Sequence, residues 1–229
     1  MTEQTPQIDL EEFDRGWLAE LERNAPATLV TALGGLTTLG EHPASLEQLA
    51  TILDRSTEDT IALLRENTTA RIADGLVHWD DPFPGEQTLR TLYVGDREIP
   101  MQRGCAPDLP AYAAVLDVPF RVEDTCPATG APIRIDFVPN GYERVDPPET
   151  IALFVPVGRP GDAPFESLEQ IEANVCVRQP FLASAEAARG WLAATPGARV
   201  FTVEEMFQRP AFTYYRDNLR PLIHPSIPA

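Results

Sequence analysis

The sequence predicts an α+β protein: a helical, winged-helix-like part over residues 1–85, then a part built on a mixed or antiparallel sheet over residues 86–229. Three observations lead there. Before Asp80 the apolar residues recur at helical spacing. After it they fall in short alternating runs separated by turn residues. Most of the 23 prolines lie in that second stretch, where they favour short strands and loops over long helices. No βαβ rhythm is present, so a parallel sheet is not expected.

In chain order, Glu11 to Arg23 carries Phe13, Trp17, Leu18 and Leu21 on one face, an amphipathic helix. Pro26 opens an apolar stretch from Ala27 to Leu39 that reads as a second helix. Ser45-Leu-Glu-Gln48 has the form of a capping box, starting a helix with Leu46, Leu49, Ile52 and Leu53 inward. A turn at Asp54 to Ser56 leads to a helix from Thr57 to Glu66. Ala73 to Trp79 then reads as a hairpin turn and strand, completing a winged-helix outline. Asp80-Asp-Pro-Phe-Pro-Gly85 is the expected boundary. Beyond it strands are predicted at Thr91–Val94, Phe120–Val122, Ile133–Val138 and Ile151–Val155. Helices are predicted at Leu109–Leu116, Ser184–Ala194 and Val203–Arg209.

Composition narrows the function. Hydrophobic residues make up 43% of the 229, enough for a real core, and the formal net charge is -17. Such a chain is repelled by phosphate backbones and anionic lipid, so neither nucleic acid nor a membrane is an expected partner. The helix in the recognition position begins Thr57-Glu58-Asp59 and offers few donors to base edges. No apolar run approaches the roughly 18 residues of a membrane span. The first ten residues are polar and acidic, and the cysteine count is odd, at three; free thiols in a reducing cytoplasm are expected.

The cysteines carry the chemistry. Cys105-Ala-Pro-Asp108 sets a thiol and a carboxyl close enough to exchange a proton. Asp108 is placed to cap the helix beginning near Leu109, which would leave Cys105 at a helix N-terminus that favours thiolate. Cys176, in the alternating stretch Asn174 to Arg178, reads as part of a strand. If the fold brings it to Cys105, two soft sulfur ligands meet one proton donor, a set suited to a thiophilic metal whose bond to carbon is cut by protonation. Taken singly, each cysteine reads as core and Asp108 as a cap. Cys126, in Thr125-Cys-Pro-Ala-Thr-Gly-Ala-Pro132, reads as a structural residue of a turn. His42, His78 and His224 are scattered, so a zinc site is not expected. Nucleophile-elbow, zincin, P-loop and dinucleotide fingerprints are all missing from the sequence.

From Cys105 to Val138 the chain resembles the alkylmercury lyase family. The family's C-A-x-D matches Cys105-Ala-Pro-Asp108, and its C-x-A-T-G-A-P matches Cys126-Pro-Ala-Thr-Gly-Ala-Pro132 at the same separation. A V-[DE]-P follows at Val145-Asp-Pro147, and Cys176 stands shortly before Phe181-Leu-Ala-Ser184. The chain departs from the family at Gly104, where an aromatic residue is usual, at Pro107, where an aliphatic one is, and at Val177, where a second cysteine is common. The first two bear on the pocket wall and substrate range.

The resemblance implies an enzyme whose catalytic domain spans residues 86–229. It implies protonolysis of a carbon–mercury bond, giving a hydrocarbon and mercury(II). Cys105 and Cys176 would hold the mercury, Asp108 would transfer the proton, and Cys126 would be structural. It implies no organic cofactor, with mercury as substrate and product. Cellular thiols or a mercuric reductase would take the ion away in an organomercury detoxification role. Alternatives remain open from the residues: a copper- or mercury-binding protein of the same fold without lyase activity, an enzyme on another substrate, or a metal-responsive winged-helix regulator.

Overall fold

Helix α1 (Leu10–Arg23) forms where the first apolar stripe predicts it, with Glu11 and Glu12 in the first turn opposing the helix dipole favourably. The computed structural model describes residues 9–23, 34, 44–67, 70–79, 90–101, 105–157, 170 and 174–223. Phe13 and Leu21 of α1 are buried. The Trp17 indole N–H donates to the Val155 carbonyl at 3.1 Å. This first helix therefore packs on a segment 138 residues further along the chain.

Next come β1 (Ala44–Ser45), α2 (Leu46–Ile52), α3 (Thr57–Asn67), β2 (Ala70–Ala73) and β3 (Leu76–Trp79). The Ser45 capping box is present: its hydroxyl accepts the Gln48 N–H at 3.0 Å, and Gln48 accepts the Ser45 N–H at 3.2 Å. Ser56 caps α3 in the same way through the Asp59 N–H at 3.0 Å. Asp74 and Gly75 take positive φ at the hairpin turn, and β3 lies between β1 and β2 in a small antiparallel sheet. Of the helix expected over 27–39, only Gly34 is described. A Cβ there would come within 2.8 Å of the Trp79 ring, so glycine permits that close approach. The boundary expected at Asp80 to Gly85 lies outside the described residues.

The larger sheet runs β5-β4-β6-β7-β8 and is antiparallel throughout. Its strands are β4 (Arg90–Val94), β5 (Arg97–Met101), β6 (Phe120–Thr125), β7 (Pro132–Val138) and β8 (Gly141–Asp146). Alternation puts Leu92, Val94, Phe120, Val122, Ile133, Ile135 and Phe137 on the buried face. A second antiparallel sheet centres on β9 (Ile151–Phe154), flanked by β10 (Phe181–Leu182) and β11 (Arg199–Thr202). The remaining helices are α4 (Asp108–Val115), α5 (Arg189–Ala194), α6 (Val203–Phe207) and α7 (Pro210–Ile223). Every residue of α4 from Leu109 to Val115 is buried, so this helix runs through the core rather than over it. It lies against α7, where Arg220 reaches the Asp117 carboxylate at 2.6 Å. Arg209 meets Asp14 of α1 at 3.2 Å, closing the chain's first helix onto its last turns. Among the described residues no helix is long and apolar enough to cross a membrane.

Two predicted elements differ. The stretch at Cys176 is a single 3-10 turn (Cys176–Arg178), not a strand. Both edges of β9 are already taken by β10 and β11, and Pro180 lacks the N–H a ladder needs. The helix expected from Ser184 begins only at Arg189. Between them the backbone closes mixed turns, Ala188 N–H to Ser184 and Arg189 N–H to Glu186, while the Ser184 hydroxyl accepts the Ala187 N–H at 3.3 Å.

Candidate active site

The loop at Cys105 is shaped by its own short hydrogen bonds. Asp108 begins α4 as its first helical residue; Pro107 holds the cap position and gives no side-chain cap. The Asp108 carboxylate instead turns back to accept the Cys105 backbone N–H at 2.7 Å. This corrects the expected capping role, and it sets the carboxyl against the thiol of the same residue. The Asp108 N–H donates to the Cys105 carbonyl at 3.1 Å, tightening the turn.

Cys176 arrives from the other side. The Ala106 N–H donates to the Gln179 carbonyl at 3.0 Å, and the Gln179 N–H to the Cys176 carbonyl at 3.1 Å. Gln179 is fully buried, and its side-chain oxygen accepts the Val155 N–H at 3.2 Å beyond the end of β9. One residue thereby ties the Cys176 turn to both the Cys105 loop and the second sheet. The Cys105 and Cys176 thiols come within hydrogen-bonding reach of each other, and Asp108 within reach of Cys105. All three cysteines are free.

The electrostatics follow from this crowding. The Cys105 thiol is held well above its ordinary pKa, by its hydrogen bond with Cys176, by burial and by the Asp108 charge. The direction is opposite to that expected from a helix N-terminus, because the neighbouring Cys176 thiol, burial and the Asp108 carboxyl all act to raise the pKa. Burial raises the pKa of Asp108 too, against the opposing effects of the Cys105 N–H and thiol and the Arg90 charge. Cys105 is buried, Cys176 half-buried, and Val177 beside it is 61% exposed. The open side of the site is thus at Cys176.

Three bordering residues escaped the sequence reading. Tyr112 lies one helical turn beyond Asp108, and Tyr215 projects from α7; both phenols feel the charges of Asp108, Cys105 and Cys176 and are pushed well above their usual pKa, chiefly by burial. The i, i+4 spacing of Asp108 and Tyr112 was a usable signal for the first. The third, Arg90 of β4, is buried and its charge acts on Asp108; only its place on a core-facing strand position marks it as unusual. A cavity of about 590 Å³ borders Arg90, Asp124, Ile133 and Arg134, but the two site thiols are not in its wall.

Cys126 is elsewhere, fully buried in the β6–β7 turn. Its carbonyl accepts the Gly130 N–H at 2.8 Å, and its N–H donates to the Ala131 carbonyl at 2.8 Å. Burial pushes its thiol pKa up, but the Thr129 hydroxyl and the amides of Ala183, Ala128 and Thr129 bring it below the ordinary value. His78 lies in β3, and His42 and His224 fall outside the described residues. Among the described residues no three His, Cys, Asp or Glu side chains group as ligands for a metal ion.

A family model described as alkylmercury lyase matches residues 101–212, which contain Cys105, Asp108 and Cys176. An alkylmercury lyase of Bacillus cereus is 30% identical over 176 residues, covering 74% of this chain and 73% of that protein. The chain belongs to the alkylmercury lyase family. A further alkylmercury lyase, from Pseudomonas putida, is 28% identical over 79% of this chain and 80% of its own length. One from Streptomyces lividans is 26% identical over 72% and 73%. A solved structure described as the mercury-bound form of MerB2 shares the fold, with a TM-score of 0.55 at 17% identity. It covers 93% of this chain and 99% of its own.

Proposed function

We propose that this protein cleaves the carbon–mercury bond of small organomercurials by protonolysis, with Cys105 and Cys176 binding mercury and Asp108 carrying the proton. The observation that supports this most directly is that the Cys105 thiol lies within hydrogen-bonding reach of the chain-distant Cys176 thiol and of the Asp108 carboxyl.

Mercury bound to carbon is itself the Lewis acid, so the protein need supply only soft ligands and a proton. The Cys105 sulfur attacks mercury as its proton passes to Asp108, and the ligand originally opposite carbon departs. Cys176 adds as the second sulfur and loses its proton to that departing ligand. The carbon–mercury electron pair then becomes a carbon–hydrogen bond as Asp108 returns its proton. A free carbanion is far too basic to leave alone, so the acid must act as the bond breaks. Hydrocarbon leaves and mercury(II) stays between two thiolates. No electron is gained or lost by the protein.

The high pKa of Cys105 suits this sequence, since a thiol that keeps its proton until mercury arrives delivers it where it is needed. Cellular thiols entering from the Cys176 side, or a mercuric reductase, would remove the ion. Free cysteines fit a reducing, cytoplasmic setting. The order α2, turn, α3, hairpin supports a winged-helix-like scaffold for the N-terminal part, with no nucleic-acid role attached to it.

The experiment is incubation with phenylmercury and excess thiol, following benzene and mercury(II). Stoichiometric benzene is expected. Mercury binding without benzene would overturn the lyase reading.

A further inference from the structure

The turn that carries Cys176 has little of its own to hold it. It is three residues of 3-10 helix without a side-chain cap, with Cys176 half-buried and Val177 exposed. On one side the Arg178 guanidinium donates to the Thr195 hydroxyl at 3.1 Å. On the other, Val175, the residue before Cys176, is buried and joins Val155 and Val157 in a small apolar cluster separate from the main core. Trp17 of α1 packs against that cluster.

Val155 shows how this support is transmitted. It lies just past the end of β9, and both its peptide groups bond to side chains from distant segments. Its N–H donates to the Gln179 side-chain oxygen at 3.2 Å, and its carbonyl accepts the Trp17 indole N–H at 3.1 Å. Gln179 in turn accepts the Ala106 N–H at 3.0 Å and donates its own N–H to the Cys176 carbonyl at 3.1 Å. A continuous path of short contacts thus runs from Trp17 to both loops that carry site thiols. Packing against Phe154, edge-on at 5.9 Å, accounts for the stabilising part of the indole ring. Its contact with the Val175 cluster is what ties α1 to the reactive turn.

We propose that Trp17 is a positioning residue for Cys176, holding its turn against the Cys105 loop so that both sulfurs reach one mercury ion. This rests on the lyase reading above, in which the second sulfur must arrive before the carbon–mercury bond breaks. A loosened turn keeps the Cys176 thiol but brings it less often within reach of Cys105. Small misplacements of a reacting group are costly to rate. Trp17 acts through Val155, Val175 and Gln179 rather than on substrate.

The test compares Trp17→Leu and Trp17→Phe with Phe13→Leu, a control on the same helix whose ring lies 6.0 Å from that of Phe201. All are studied as the full chain, at a temperature where each is folded. The readouts are Tm, the rate of Cys176 alkylation by peptide mapping, its protection by mercury(II), and kcat and KM for benzene release from phenylmercury in excess thiol. Trp17→Leu should speed Cys176 alkylation about tenfold and lower kcat about tenfold, with Cys126 alkylation unchanged. Equimolar mercury(II) should protect Cys176 less completely than in the wild type. Trp17→Phe, which keeps a ring and loses the N–H, should show the same effects to a smaller degree. Phe13→Leu should lower Tm and leave Cys176 alkylation and kcat at wild-type values.

If Trp17→Leu lowers Tm while Cys176 alkylation, protection and kcat stay at wild-type values, Trp17 is structural and the proposal falls. Equal acceleration of alkylation in Phe13→Leu overturns it too, since any loosening of α1 would then suffice. Should Trp17→Leu not fold, wild-type alkylation and kcat in Trp17→Phe overturn it equally. A wild type that releases no benzene overturns the lyase reading; Cys176 alkylation and mercury(II) protection in the variants then decide this inference by themselves.

Discussion

The Gln179 carbonyl accepts the Ala106 N–H at 3.0 Å, and this bond joins two segments far apart in sequence, each carrying a site cysteine. The Gln179 side chain holds the arrangement from behind through Val155. Loss of a buried acceptor strands the Val155 N–H, at a cost of about 1–3 kcal/mol. Gln179→Ala should therefore lower Tm and impair turnover together, because the Cys176 turn loses its anchor. The measurement is Tm beside the rate of benzene release; a variant with wild-type values of both would show that the backbone bond holds the turn unaided.

Asp108→Asn retains an oxygen able to accept the Cys105 N–H but has no proton to give. General acid catalysis contributes roughly 10²–10⁴-fold, so hydrocarbon release should fall by about that factor while mercury(II) still binds to the thiols. Retention of the wild-type rate would remove Asp108 from the mechanism.

The same variant makes a stability prediction. Burial holds the Asp108 pKa above 3.8 in the folded protein. A carboxyl with a raised folded pKa binds its proton more tightly in the native state, so it favours folding below its unfolded pKa. That contribution is lost as pH rises through the folded value. Asp108→Asn should thus match the wild type near pH 3–4 and become relatively more stable as pH rises. At pH 7 a gain of about 2–4 °C in Tm is expected for each kcal/mol recovered. A Tm advantage that grows toward acid pH would contradict the sign.

Much of this was legible in the chain, for identifiable reasons. Ser45 and Gln48 satisfy a local hydrogen-bonding pattern that no distant contact needs to rescue. The apolar run from Leu109 to Val115 has no other stable home than a buried helix. Cys105 and Asp108 are neighbours in sequence, so their interaction is local too. What the sequence hid is non-local. Strands β5 and β8 carry charged residues on an outer face, and their partners are chosen by register rather than composition. The Cys176 segment alternates like a strand, yet finds the edges of β9 occupied. Arg90 reads as an ordinary surface charge until Asp124 appears across the ladder.

Thiol exposure gives a fourth prediction. Cys176 is half-buried and Cys105 and Cys126 are buried. Reaction with an alkylating reagent at neutral pH should mark Cys176 first, with Cys105 slower because burial and its raised pKa withhold the thiolate. Mercury(II) added beforehand should protect Cys176 and Cys105 together and leave Cys126 unchanged. Peptide mapping after timed labelling reads the order; protection of Cys176 alone would mean that the two sulfurs do not share one metal.

The last prediction concerns the joint between the chain's two ends. Phe154 of β9 is 3% exposed and meets Trp17 of α1 edge-on at 5.9 Å, Phe201 of β11 at 5.1 Å and Phe212 of α7 at 6.2 Å. Four elements thus converge on one ring. Truncation to alanine removes the ring's transfer free energy and leaves a hole that α1 cannot fill without breaking the Trp17–Val155 bond. Phe154→Ala should cost about 3–5 kcal/mol, whereas Phe154→Leu should cost less because a branched side chain fills part of the space. Chemical denaturation of both variants measures the difference. Equal, small losses would mean that α1 packs against the sheet without relying on this ring.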